Sequence, residues 1–341
     1  MMSTARLDLS RSQILSFRRR VGALDERLPQ ARESLRRASW AGLQDSMPRA
    51  AVFSIHARVE GTGPTTWEDP SLVQLWGPRF SAYVVPARDR AVFSLGRLPD
   101  DDDDRRLAED LASRLDALLG GEKMTYGEAG RALGEHPNRL RYAAPTGRVL
   151  IRWDGARQPV IWMVPPPEVD PHEARLELAR RHLNVFGPST PEAFAHWAGV
   201  RPRRAFATFE MLHESLTQVQ TPIGQAWILT SDEPAFRAEP GPVAPARLLP
   251  SGDAYYLLHG DDRQLLVADP DRRSSLWTSR VWPGAVLVEA EIVGTWRRSH
   301  ETVTIQAWRR LSRAQRDAVE TEAASLPVPG TGQVVVHWDD R

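Results

Sequence analysis

The chain has 341 residues, 44 basic and 44 acidic side chains, no cysteine and 12 tryptophans. At roughly 150 residues per domain this length predicts two or more compact units. The missing cysteines exclude disulfides, thiolate catalysis and cysteine-ligated metal sites. A hydrophobic share of 41% and a mean hydropathy of −0.42 are those of a soluble chain. No apolar run approaches the ~18 residues of a spanning helix, and residues 1–10 hold no apolar signal core. The expected address is the cytoplasm, with no membrane partner.

Charge is unevenly placed. Lys123 is the sole lysine, so the positive charge is almost all arginine. Residues 1–60 carry 11 arginines against 6 acids, while Asp100–Asp104 is an unbroken acidic run that reads as a solvated linker or helix approach. A basic segment in a neutral whole suits a protein that meets phosphates with one face.

In chain order, residues 11–24, 35–46 and 48–59 read as helices, and 80–85 and 91–95 as a hairpin. Three helices followed by a hairpin is the winged-helix order. It recurs at roughly 60–70-residue spacing. Residues 104–119 form an amphipathic helix. Thr125 with Glu128 makes a capping box before 129–133. A short basic helix at 138–144 carries Arg139 and Arg141, and strands at 149–153 and 160–164 close a wing. A third copy has helices at 173–186, 191–198 and 200–213, the last entered by Arg201, Arg203 and Arg204, and a hairpin at 216–220 and 226–229. Residues 233–246 read as a proline-rich linker. Beyond it the period becomes two, with strands expected at 254–258, 265–268, 285–289, 292–296 and 303–308, a helix at 313–325 and an edge strand at 334–338. The predicted fold class is α+β, with three tandem winged-helix domains (1–100, 101–168, 169–236) and a small antiparallel β-barrel (245–341).

Several stretches carry a resemblance. Leu43-Gln44-Asp45-Ser46-Met47-Pro48-Arg49-Ala50 resembles the Leu-Gln-x-Gln-x-Pro-Arg-Ala stretch of the winged-helix family that contains the bacterial DNA glycosylases AlkZ and YcaQ. Residues 79–86 (Arg-Phe-Ser-Ala-Tyr-Val-Val-Pro) resemble its Arg-Gly-Thr-x-His-x-Val-Pro strand. Residues 186–192 and 197–199 are similar to its third-repeat start, and 248–255 and 293–296 to its C-terminal barrel. The matches run in order through almost the whole chain. The resemblance implies a C-shaped, DNA-sized channel and hydrolysis of the bond between deoxyribose C1′ and an alkylated base.

The chemistry asks little of the protein. A purine alkylated at N7 is already cationic and leaves without a proton. What remains is to place a water under C1′ and stabilise an oxocarbenium-like transition state. In the family, Gln-x-Gln or Gln-x-Asp supplies those groups. Here Gln44 matches the first position and Ser46 the second, a shorter and uncharged replacement, while Asp45 between them either presents a carboxylate or points away. Tyr83 stands where the family has a histidine, and reads either as a lesion contact or as a strand tyrosine packed by its ring. Arg49, Arg79, Arg139, Arg141, Arg201, Arg203 and Arg204 are the candidate phosphate contacts, with salt bridging or plain solvation the other reading of each. The nine histidines form no metal-ligand spacing, and no phosphate-binding glycine loop is present, so neither metal nor nucleotide cofactor is expected.

Two readings follow. One is a monofunctional DNA glycosylase acting on bulky or N7-alkylated purines in double-stranded DNA, in repair or in self-resistance to an alkylating agent. The absence of lysine from the motif disfavours a Schiff-base lyase step. The other is a catalytically silent DNA-binding protein for damage recognition or transcriptional regulation. No heptad run supports dimerisation, so a monomer is expected.

Overall fold

The computed structural model describes residues 7–47, 49–155, 157–330 and 334–339. β1 (Leu7–Asp8) leads to α1 (Arg11–Val21), which opens on a capping box between Ser10 and Gln13. Then come α2 (Arg32–Ala38), β2 (Leu43–Gln44), α3 (Ala50–His56), β3 (Leu72–Trp76), β4 (Ala82–Pro86) and α4 (Arg90–Ser94). The second block holds α5 (Asp102–Leu119), β5 (Met124–Thr125), α6 (Tyr126–Leu133), a 3-10 stretch at Pro137–Thr146, β6 (Val149–Arg152) and β7 (Val160–Met163). The third holds α7 (Pro171–Phe186), α8 (Pro191–Ala198), α9 (Pro202–Met211), β8 (Leu216–Thr221) and β9 (Gly224–Leu229). The C-terminal part holds α10 (Glu233–Arg237), β10 (Ala246–Leu249), α11 (Asp262–Leu266), α12 (Pro270–Leu276), β11 (Gly284–Val288), β12 (Glu291–Ser299), β13 (Thr302–Ala307), α13 (Arg313–Ala324) and β14 (Val335–Trp338).

The strands make three sheets, two of which cross the boundaries between blocks. A six-stranded sheet runs β2-β4-β3-β6-β7-β5, so the hairpins of the first two blocks meet edge to edge where Gln74 faces Ile151. β1 pairs parallel with β8 and joins the hairpin of the third block. α1 follows it there: Phe17 stacks on Phe236 with ring centroids 3.7 Å apart. The third sheet runs β10-β11-β12-β13-β14.

Where period and capping are clear, the elements stand as expected. Thr125 and Glu128 close their capping box, and Thr190 caps α8 with Pro191 at the first helical position. Other expectations are corrected. Residues 91–95 are not a strand: α4 occupies 90–94, and β4 pairs instead with β3, a strand the sequence pattern does not announce. Ala91, Val92, Phe93 and Ser94 are all buried, so no periodicity marks the helix. The helix expected at 35–46 stops at Ala38 and gives way to β2. The helix expected at 48–59 is Ala50–His56, and Pro48 lies outside the described residues. Residues 254–256 form a turn and 257–258 irregular chain rather than a strand, 262–266 is a helix that takes in the start of the strand expected at 265–268, and Asp269 and Pro270 are the N-cap and first residue of α12. The linker contains α10, whose Phe236 is buried. Among the described residues the C-terminal sheet is open, β10 and β14 being its unpaired edges, and β13–β14 is parallel, so it is not the closed antiparallel barrel expected.

One apolar cluster runs through the molecule and carries the candidate site. It joins Tyr83 and Phe93 of the first block, Phe194 and Trp197 of α8, and Leu249 and Tyr256 of the C-terminal part. Segments distant in sequence are therefore packed onto one rigid base.

Candidate active site

β2 is short, but its register decides the site. Leu43 pairs with Val84 and Gln44 with Tyr83, and Asp45 N–H continues the ladder to Ala82 O at 2.8 Å. Side chains alternate across a strand. Leu43 and Asp45 are buried while Gln44 and Ser46 remain half-buried. Gln44 and Ser46 thus share a face, and Gln44 Nε2 donates to Ser46 Oγ at 3.2 Å.

Asp45 points the other way. Its Oδ1 accepts from Ala51 N–H at 3.0 Å and its Oδ2 from Gln74 Nε2 at 2.8 Å, tying β2 to the start of α3 and to β3. Trp153 N–H in turn donates to Gln74 Oε1 at 2.6 Å, which fixes the orientation of that amide. Burial pushes the Asp45 carboxyl up to about 7, against the pull of the Ala51 N–H, Arg49 and Gln74. Of the two readings of Asp45, the one in which it points away matches this placement, and not the one that presents its carboxylate beside Gln44; its side chain pins the motif from behind.

Arg79 reaches Gln44 from the β3–β4 turn. Arg79 and Phe80 adopt φ of 53° and 56°, two successive non-glycine residues in the left-handed region, at a cost of about 1–2 kcal/mol each. Gly199, at the end of α8, fits against this turn because a Cβ there would stand 2.9 Å from Arg79 N. The strained turn sends the guanidinium inward: Nη2 donates to Gln44 Oε1 at 3.4 Å and Nη1 to His259 Nε2 at 3.0 Å. Phe80 faces outward, edge-on to the exposed Tyr142 with centroids 5.1 Å apart.

The C-terminal part also packs against Gln44. Gly252, at φ 77°, packs close to Gln44: a Cβ there would lie 3.3 Å from Gln44 Cδ, so that the glutamine side chain would have to give way slightly. The neighbouring Asp253 is a buried anchor. It accepts from Arg58 Nη1 and Nη2 and from Ser54 Oγ, each at 2.7 Å, and from Tyr255 N–H at 2.9 Å. Further along the same loop, the ring of His259 lies edge-on to His196 of α8, centroids 3.8 Å apart. Both rings border a cleft of about 490 Å³ also lined by Thr190, Ile223 and Asp261. Nothing in the sequence pattern singles out His259 or His196 as a site residue. Gly252 and Asp253 lie in a family-like stretch that assigns them no role.

The remaining candidates are scattered. Tyr83 is fully enclosed, and its hydroxyl, beside Arg79 and the Trp197 indole, makes no well-formed hydrogen bond. Burial pushes it up to about 12. Of its two readings, the packed strand tyrosine matches this placement. Arg49, at φ 67°, lays its guanidinium over Trp67 at 4.8 Å, on a ring shared with Arg152. Arg139 pairs with Glu135 at 3.5 Å, and Arg141 is half-buried. The acidic run is not idle. Asp101 caps α5 and, with Asp104, pairs with Arg201 at 3.5 and 2.7 Å, while Asp100 binds Arg175 at 2.6 Å and Arg204 at 3.1 Å. Burial, with Arg175 nearby, pulls Arg204 down to about 9. Arg203 stays exposed on α9. Arg201, Arg203, Arg204 and the acids that pair with them border a second cleft of about 750 Å³ together with Phe80 and Tyr142. Among the described residues no cluster of three or more His, Asp or Glu could hold a metal ion, and no helix is long and apolar enough to cross a membrane.

Comparison with known proteins adds two findings. The family model described as DNA glycosylase AlkZ-like matches residues 37–327. Among solved structures, Streptomyces sahachiroi DNA glycosylase AlkZ is similar in fold, with a TM-score of 0.78 at 19% identity over 97% of this chain and 100% of that one. No curated protein matches by sequence.

Proposed function

The chain belongs to the AlkZ-like DNA glycosylase family, and from that premise we propose that it is a monofunctional hydrolase of N7-alkylated or bulky purine nucleotides in duplex DNA. The observation that carries this reading is the shared face of Gln44 and Ser46, with the Gln44 carbonyl oxygen turned to Arg79 and its amide nitrogen to Ser46. A carbonyl oxygen has two lone pairs. Arg79 takes one, and the other is available to a water beneath C1′. The water oxygen bonds to C1′ as the C1′–N9 bond breaks, and its proton passes to solvent. The bond pair neutralises the cationic purine, so no protein acid is needed. Ser46 accepts from the Gln44 amide nitrogen rather than supplying a base. The sole lysine, Lys123, lies over Trp162 at 4.7 Å in the second block, and a Schiff-base lyase step has no lysine at Gln44.

Duplex binding completes the reading. The helix–helix–helix–hairpin order of the second and third blocks supports tandem winged-helix units lining a channel for duplex DNA. Arg139, Arg141, Arg203 and, once drawn from its acidic partners, Arg201 would meet phosphates, and a phosphate flanking the lesion would neutralise Arg79. The work is that of a monomer acting in alkylation repair or in self-resistance. A second reading, binding without chemistry, is favoured by Ser46 alone, which lacks the reach and charge of the family's second motif residue.

The deciding experiment is base release from duplexes carrying N7-methylguanine and a bulkier N7 adduct, read by alkaline strand cleavage. Release is expected from the wild type and lost in Gln44→Ala with duplex affinity intact. Full activity in Gln44→Ala refutes the assignment of the motif. Salt-dependent binding without release from either substrate supports the silent reading.

A further inference from the structure

A glutamine amide can sit in two orientations related by a flip, and only one offers its oxygen to a water. Ser46 does not settle the choice, because a hydroxyl can donate as well as accept. Arg79 does, since a guanidinium only donates. Yet its contact with Gln44 Oε1 is long, 3.4 Å, and its Nε is enclosed without a partner. The firm contact of the guanidinium is the one at 3.0 Å with His259 Nε2. We infer that His259 is a positioning residue for Gln44, holding the Arg79 guanidinium in place so that Arg79 fixes the orientation of the Gln44 amide.

The surroundings of His259 suit this task. To accept from Arg79, the ring must be neutral with its proton on Nδ1. Burial, with Arg79, His196 and Arg263 close by, holds it down to about 3, so it remains an acceptor throughout the neutral range. His196 packs against it edge-on and Trp282 lies 6.4 Å away, between ring centroids. The loop that carries it is fastened at Asp253 to Arg58 and Ser54, and touches Gln44 again at Gly252. The contact spans 180 residues of chain, so it couples the C-terminal part to the β3–β4 turn. A neutral acceptor also holds Arg79 without adding positive charge where the sugar becomes cationic.

The inference rests on the proposed role of Gln44, and two kinds of measurement separate them. In single-turnover base release, His259→Ala is expected to lose about 10- to 100-fold, the worth of one hydrogen bond to a charged group, with duplex affinity unchanged. His259→Gln, whose carbonyl can accept from Arg79, recovers most of the loss. In a Gln44→Ala background His259→Ala changes nothing further, because the residue it positions is gone. The second measurement does not use turnover. The Gln44 side-chain amide resonances, assigned by their loss in Gln44→Ala, shift in His259→Ala and return in His259→Gln. An unmoved Gln44 amide in His259→Ala overturns the inference, as does an equal activity loss in the Ala and Gln variants. A shifting amide in a protein that releases no base supports the positioning role and refutes the hydrolase reading.

Discussion

Asp45→Asn tests the sharpest electrostatic consequence of the fold. The carboxyl is buried and its pKa is raised from 3.8 to about 7. The sign follows from proton linkage. Between those values the folded state holds a proton that the unfolded state has released, so stability falls as pH rises. The contribution is fully present below about pH 4 and is lost as pH climbs through about 7, where the folded state must carry a buried anion. At 1.36 kcal/mol per unit, the shift is worth about 4 kcal/mol over the whole window, of which roughly 3 kcal/mol falls between pH 5 and 8. Asparagine removes the titration but not without cost. Gln74 cannot turn, because its Oε1 is held by Trp153 N–H, so the new Nδ2 would oppose another donor. This offset of about 1–3 kcal/mol does not vary with pH. The assay is urea unfolding of both proteins from pH 5 to 8. The expected result is a variant within about 1 kcal/mol of the wild type at pH 5 and more stable than it by about 1–3 kcal/mol at pH 8. A difference that stays flat refutes the burial argument. The same pair checks the chemistry: base release per folded molecule is expected to survive in Asp45→Asn, and its loss would restore Asp45 as a base.

Two further outcomes follow from burial and pairing. Tyr83→Phe deletes an enclosed hydroxyl that makes no well-formed bond, so it is expected to keep or gain up to about 1 kcal/mol of stability in thermal melts. Its duplex affinity is expected to be unchanged, and a drop would mean that DNA reaches the hydroxyl. For DNA binding, Arg203→Ala is expected to lower the slope of log K against log salt by about 1. Arg201→Ala should lower it less, since Asp101 and Asp104 already neutralise Arg201. Equal effects from both would show that the acidic run releases its arginine completely on DNA.

How far the sequence can be read depends on whether a segment buries one face or all of them. α5 shows a leucine stripe because Leu111 and Leu115 are buried while Glu109, Asp110 and Ser113 of the same turns face outward. The third block is equally legible, with Thr190 and Pro191 marking a start and Gly199 an end. The pattern fails where every side chain is enclosed. Residues 255–258 are Tyr, Tyr, Leu and Leu, a strand by composition, yet all are buried in a turn and the irregular chain that follows it. Their shape is set by Asp253, which accepts from Tyr255 N–H while gripping Arg58 from another part of the chain. Propensity counts side chains, and here a buried ion pair decides the backbone.

The site divides the same way. The spacing of Gln44 and Ser46 is a local fact: two residues apart on a strand means one face, and the alternation also turns Asp45 inward. Once β2 is known to be a strand, the question of where that carboxylate points has an answer. Which arginines are free to meet a phosphate depends on pairing, which sequence does not display. Arg201 and Arg204 look like free cations until the chain returns Asp100–Asp104 to them across the fold. His259 is beyond reach for the opposite reason. A lone histidine shortly before two acids carries no local signal, and its meaning comes only from the turn that aims Arg79 at it. The net charge of zero is therefore not evidence against a DNA partner. Within that balance of 44 basic and 44 acidic side chains lie a local neutralisation around α9 and a cation at Arg79 held beside Gln44 by an uncharged ring. Holding the cation with a neutral acceptor leaves its charge unspent, and that charge is what an incoming phosphate would meet.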